Sequence, residues 1–382
     1  HGIVDYAIPI PGEPDMRMEA FLSPFCKAEQ LWNVTAEAGK KTLVFHWPGG
    51  AWPPSSDSEN LYVVDGTSPG ALGMATSQTE ADSIFGASDK VTEPKFMTKV
   101  DPHAVAMCVV EELPDRSTNL GYDFAEAQTT GLDKMSICQD WAPGLTQPPR
   151  INLAQSYVRE AQGWAFEIPA DAKETVILLS RGLIRRPCLI LKNEEGIYDR
   201  IAVYLKKDVP KCLAVIEKDV YTKNVPDIMP NRQGGMENIV RNVRILDLAE
   251  DGSFLRMWYS NGFSADDNSV WYPKWIFDKI KANFGPPCAT GQLGDGDDAI
   301  VMDCNLEQWR QAAKWQADSL NYMIEEEGVE VIFSHFHGPD MAGHTYMRTL
   351  KEREGESRKG EETYYNYAVG THEMADEYIG EF

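Results

Sequence analysis

Apolar and polar positions change their spacing along this chain, and each change predicts a different kind of element. A helix-spaced stretch from Lys27 to Ala38, with Leu31 and Val34 apolar, stops at Gly39. The next run, Thr42 to Trp47, reads as a strand and breaks at Pro48-Gly49-Gly50. Helix, glycine, strand is one step of a layered α/β fold. Residues 1 to 25 are rich in proline and glycine and predict a surface loop. Residues 55 to 150 carry many Ser, Thr, Asp and Pro residues and one clear strand, Leu61 to Val64.

From about Trp164 to Tyr259 short β-rich runs recur. They fall at Thr175–Leu179, Cys188–Leu191, Arg200–Leu205, Cys212–Ile216, Val240–Leu246 and Phe254–Tyr259. Turn residues such as Asn193-Glu-Glu-Gly196 and Glu250-Asp-Gly-Ser253 separate them, as in successive hairpins. Helical spacing returns at Lys274 to Asn283. A longer helix is predicted to open at a capping box, Asn305-Leu-Glu-Gln308. Its apolar face holds Trp309, Ala312, Ala313, Leu320, Met323 and Ile324. It stops before Gly328 and feeds a buried strand at Val329, Val331, Ile332 and Phe333. A charged loop, Lys351 to Glu362, leads into a last helix. The expected organisation is 1–150 as the first part of an α/β core, 151–265 as a β-rich insertion or cap, and 266–382 as the second part of the core with a metal-binding loop.

Composition narrows the class. The chain has 382 residues, 43% hydrophobic and 25% charged, which are ordinary globular values. Its formal charge of −23 argues against a nucleic-acid polymer or an anionic membrane as partner. An anionic small substrate stays compatible, because a bound divalent cation reverses the field locally. Seven scattered cysteines, none in a Cys-x-x-Cys pair, fit free thiols and a cytoplasmic, reducing location. No run of about 18 apolar residues predicts a membrane span. His1 and Phe382 read as cut ends of a longer chain.

The chemistry concentrates after the last predicted strand. His335, His337 and His344 fall within ten residues, around Asp340. Asp340 and His344 are four apart with Ala342 and Gly343 between them, so a turn puts both side chains on one side. That makes them candidate metal ligands; His337 is a candidate substrate-side residue on the pocket rim. Gly66-Thr67-Ser68-Pro69-Gly70 mimics a nucleophile elbow, but Pro69 lacks the N–H an oxyanion hole needs. Asp295-Gly-Asp297-Asp298 fails the calcium-loop frame at Ala299-Ile300 and reads as an acidic turn. No glycine-rich phosphate cradle is present in the sequence.

Three segments, in order, resemble one family. Ala38-Gly-Lys-Lys-Thr-Leu-Val-Phe-His-Trp-Pro-Gly-Gly50 resembles the helix–glycine–strand–Trp-Pro-Gly segment of type I phosphodiesterase/nucleotide pyrophosphatases of the alkaline phosphatase superfamily. Pro339-Asp340-Met-Ala-Gly343-His344 resembles that family's Pro-Asp-x-x-Gly-His motif. His1-Gly2-Ile3 is similar to the segment following its nucleophile. The resemblance implies a three-layer α/β/α sandwich and two zinc ions at the C-terminal ends of a parallel sheet. It implies Asp340 and His344 as ligands of one zinc, and a Thr or Ser nucleophile that forms a phospho-enzyme. The substrate would be a phosphodiester, a nucleotide pyrophosphate or another small phosphate ester. Monoester and sulfate chemistry share the metal motif. The nucleophile and further ligands would lie outside this chain, so the chain alone is expected to be inactive. The β-rich middle departs from the family. Its cluster Trp258, Tyr259, Trp271, Tyr272 and Trp275 suits either a core or, in a non-catalytic alternative, a binding surface.

Overall fold

In the computed structural model, residues 7–10, 12–19, 22–64, 82–96, 151–179, 184–230, 235–260, 262–288, 299–340, 342–343 and 361–382 are described. Strand β1 (Ala7–Ile10) pairs antiparallel with β2 (Glu13–Glu19), where the sequence predicted a loop. Gly12, at φ 88, supplies the left-handed backbone that a tight reversal needs.

A small parallel sheet follows. Helix α1 (Leu31–Glu37) leads into β3 (Thr42–Phe45), and β4 (Leu61–Val64) pairs parallel with it. Strand side chains alternate faces, and both faces here are apolar. Val44, Leu61 and Val63 pack against Trp32 and Ala36 of α1. Leu43, Phe45, Tyr62 and Val64 face the other way. The expected apolar pair of α1 does not do this work: Leu31 and Val34 are 62% and 48% exposed. The helix docks through Trp32 and Ala36, one turn apart, because these meet the strand pair.

The chain then builds a β sandwich from β5 (Asp82–Ser88), β6 (Lys95–Phe96), β7 (Ile151–Tyr157), β8 (Arg159–Glu160) and β9 (Lys173–Leu179). It continues with β10 (Ile184–Lys192), β11 (Tyr198–Tyr204), β12 (Cys212–Glu217) and β13 (Tyr221–Pro230). Last come β14 (Met236–Leu248), β15 (Phe254–Tyr259) and β16 (Phe263–Ser264). One sheet runs β12-β11-β10-β9-β8, and the other β13-β14-β15-β5-β7-β6 with β16 beside β14. Their facing side chains, such as Ile190 and Ile201 against Phe85 and Met257, share one core. The predicted hairpins are present. Residues 82–96, expected in the α/β core, belong to this sandwich instead: β5 pairs with β15, some 170 residues downstream. Local pattern could not place β5, because its partners lie so far along the chain.

Strand β17 (Trp271–Tyr272) returns to the first sheet and pairs antiparallel with β4. Helices α2 (Trp275–Phe284) and α3 (Ala299–Glu325) follow, then β18 (Val331–Ser334) and α4 (Glu361–Glu381). Strand β18 pairs parallel with β3, completing the order β17-β4-β3-β18. Ile276, Phe277 and Ile280 of α2 and Trp309, Ala313 and Leu320 of α3 cover the face opposite α1. The protein is thus mixed α/β, with mixed sheets and few helices.

The capping box is a correction. Helix α3 begins at Ala299, so Asn305 and Gln308 lie inside it, and both are buried. Asn305 accepts a hydrogen bond from the Tyr367 hydroxyl of α4 instead of capping. Packing between α3 and α4 extends the helix through a sequence that could have started one. Ile324 also leaves the predicted apolar face and is 38% exposed, whereas Trp309, Ala312, Ala313, Leu320 and Met323 are buried as expected.

Candidate functional site at the strand ends

Strands β3 and β18 run side by side in register, Val331 opposite Thr42 and Ser334 opposite Phe45. Their C-terminal ends therefore open at the same edge. In open α/β sheets that edge is where ligands collect. The residue after β3 is His46, and the residue after β18 is His335. The His335 amide donates to the Phe45 carbonyl at 3.2 Å, and the His46 amide to the Val64 carbonyl at 2.8 Å.

Beyond His46 the Trp47-Pro48-Gly49-Gly50 loop turns away, with Gly49 and Gly50 at φ 85 and 81. Side chains would be strained there, so glycine suits both positions. The buried Gln30 carboxamide fastens the loop. It donates to the Gly50 carbonyl and accepts from Trp32 Nε1 at 3.0 Å and Ser55 Oγ at 2.5 Å. Trp47 packs edge-on against Trp32 and Phe333.

After β18 the chain runs through His335, Phe336 and His337 into a helical turn at 338–340. Gly338 has no room for a larger residue: a Cβ there would stand 2.7 Å from the Phe336 ring. The side chains form a line. His335 Nε2 lies 2.8 Å from His337 Nδ1, and His337 Nε2 lies 3.3 Å from Asp340 Oδ2. A carboxylate only accepts, so His337 directs an Nε2–H at Asp340. In neutral His337 the other nitrogen then accepts a hydrogen bond from His335 Nε2–H. Such a line can orient an imidazole or pass a proton towards the carboxylate. Burial lowers the His335 pKa, opposed by the Asp340 charge. The Asp340 side chain is 54% exposed and the His337 side chain 16%.

Behind the line sits His46. It is 4% exposed, has φ 59, and stacks against Trp315 of α3. Burial drives its pKa down to about 3; the hydrogen bond its ring makes to the Gln316 amide oxygen opposes this, and the His335 charge adds to it. The imidazole is neutral at any ordinary pH. Gln316 of α3 joins His46 Nδ1 at 3.2 Å, Ser334 Oγ at 3.0 Å, the His335 carbonyl at 3.1 Å and the Tyr378 hydroxyl at 3.2 Å.

Of the residues singled out from sequence, His335, His337 and Asp340 meet here. His344 lies outside the described residues, as do His1 to Ile3, the 66–70 turn, the Asp295 turn and most of the 351–362 loop. Among the described residues no three His, Cys, Asp or Glu side chains converge as a metal site. The donor types at Asp340 suit zinc, but His337 occupies one face of the carboxylate. His46 and Gln316 were missed. The signal for Gln316 was present: a polar residue between Ala312, Ala313 and Leu320 on an apolar helix face. The aromatic cluster is mostly core, with Trp258, Tyr259 and Trp271 at 0%, 4% and 4% exposed, while Tyr272 is 40% exposed.

Among the described residues no helix is long and apolar enough to cross a membrane. No family model, curated protein or solved structure matches the chain.

Proposed function

We propose that this chain is part of a zinc-dependent hydrolase of phosphoric esters, of the phosphodiesterase or nucleotide pyrophosphatase kind. One observation carries the reading. The Trp47-Pro48-Gly49 and Pro339-Asp340 segments, 290 residues apart, both follow strands that end at one edge of a parallel sheet. These are two of the three segments on which the family resemblance rests. Coverage of that sheet by α1 on one face and by α2 and α3 on the other supports a three-layer α/β/α sandwich.

In this reading Asp340 and His344 hold one of two zinc ions. Bound zinc would polarise a phosphoryl oxygen and supply the charge that a chain of net −23 lacks. The protein's own part is positional. The rigid strand pair fixes where Asp340 stands, and His337 orients its carboxylate. The Trp47 loop and Phe336 border the same edge. Two ligands from one loop bind zinc weakly, and the resemblance assigns the nucleophile to residues before His1. The isolated chain is therefore expected to be inactive.

The test is zinc content and bis(4-nitrophenyl) phosphate turnover, measured on the protein extended to its full reading frame. About two zincs per chain, with turnover lost in Asp340→Ala, is the expected result. Zinc without diesterase turnover, but with cleavage of a phosphate monoester or sulfate ester, would move the substrate class within the superfamily. No zinc and no turnover would overturn the hydrolase.

A further inference from the structure

The Gln316 carboxamide stands where four elements meet. It is 4% exposed, and its partners come from the residues after β3 and β18, from β18 itself and from α4. Its orientation follows from its partners. The His335 carbonyl can only accept, so the atom 3.1 Å away is the amide nitrogen. The amide oxygen then faces His46 Nδ1 at 3.2 Å, and it too can only accept. His46 must therefore carry its proton on Nδ1. Because burial keeps the ring neutral, Nε2 is left bare.

We propose that Gln316 is the positioning residue of the strand-end site. It locks His46 as the Nδ1–H tautomer and clamps the His335 carbonyl, so the His335–His337–Asp340 line keeps one geometry. Gln316 touches neither Asp340 nor any group placed to meet substrate. It acts through the backbone of His335, whose ring begins the line. Groups that orient a ligand's hydrogen-bond partner tune metal affinity, and Gln316 does so at one remove, through His335 and His337. The zinc part of this inference rests on the hydrolase reading; the tautomer part does not.

The experiment is long-range ¹H–¹⁵N NMR of the histidine rings in the whole chain, for wild type, Gln316→Met and Gln316→Glu. Met has similar length and no hydrogen-bonding amide; Glu keeps an oxygen for His46. Wild type should show His46 as a single Nδ1–H tautomer. Gln316→Met should lose that state and shift the His335 and His337 ring signals. Gln316→Glu should restore the His46 tautomer, a rescue that a packing role would not produce. Zinc affinity, measured on the full reading frame, should fall in Gln316→Met, by less than about tenfold because Gln316 does not bond a ligand directly. An unchanged His46 tautomer in Gln316→Met, or unmoved His335 and His337 signals, would overturn the proposal. Should that variant fail to fold, an Nε2–H His46 in wild type or in Gln316→Glu would overturn it alone. A wild-type protein that binds no zinc would sink the hydrolase reading and leave the NMR result to decide this one.

Discussion

In the β sandwich Glu174 is buried with its charge; in the α/β unit His46 is buried without one. Glu174 is 0% exposed. Its carboxylate meets Lys207 at 2.5 Å, Arg159 at 2.9 Å, Trp164 Nε1 at 2.8 Å and the Gln162 amide at 3.2 Å. Burial alone would raise its pKa. The hydrogen bonds from Lys207, Trp164 and Arg159 outweigh that and hold it below the usual range. Arg186 and Asp227 form a second buried ion pair at 2.8 Å. His46 meets a single neutral amide, too little to keep a proton on a buried ring. A full set of partners lets a charge stay inside and fixes a rigid scaffold. One neutral partner fixes a tautomer instead.

The sharpest break of this contrast is to empty each core in turn. Leu43→Ala in the parallel sheet and Ile201→Ala in the sandwich should each cost about 3–4 kcal/mol, since both side chains are fully buried. Leu43→Ala should also speed hydrogen exchange at the His335 amide, which bonds β3. Ile201→Ala should not. Equal acceleration by both would mean that the two cores open as one.

Glu174→Ala is expected to cost about 3 kcal/mol by denaturant unfolding. That is the low end for a buried ion pair, because Lys207 and Arg159 are 30% and 45% exposed and can reach water. A loss under about 1 kcal/mol would show that the network is ornamental to stability.

The two buried groups also separate by pH. His46 falls from 6.5 to about 3 on folding. Between those values the unfolded chain holds a proton that the folded chain lacks, so stability falls as pH falls below 6.5. Glu174 is shifted below 4.5, so its contribution is present above that value and lost as pH falls through its folded pKa. From pH 6.5 to 5 the His46 effect should be roughly 2 kcal/mol. His46→Asn, a residue that tolerates positive φ, should flatten most of that window, leaving the smaller slope from His335. Glu174→Gln should leave it intact and flatten only the region below 4.5.

The smallest stability effect is expected at the site's exposed end. Asp340→Asn should change unfolding free energy by no more than about 0.5 kcal/mol, because the side chain is more than half exposed. It should still abolish zinc-dependent turnover in the full reading frame. A large stability loss with turnover retained would make Asp340 a structural residue.

Much of the framework was legible from local pattern. β4 and β15 match their predicted bounds, and α2 is offset from its prediction by one residue at each end. Strong alternation, turn residues and a Gly-Pro-Pro stop were sufficient there. Helix α1 was legible as a helix, but not by the face it buries. The candidate site was legible in part: Asp340 and His337 stood out as ionisable residues on a loop after a strand. His46 and Gln316 did not, because nothing local brings residue 46 to residue 316.

What the sequence alone determined, then, is periodicity: which stretches alternate, which turn every 3.6 residues, and where glycine or proline ends them. These are properties of a residue and its near neighbours. Only the tertiary structure decided that β5 joins β15, that α3 runs through Asn305, and that β3 lies parallel beside β18. Those outcomes depend on which apolar faces find each other across hundreds of residues. The shared strand end is one of them. The residues placed there, including a histidine held neutral by burial, have their chemistry set by neighbours that no short stretch of sequence contains.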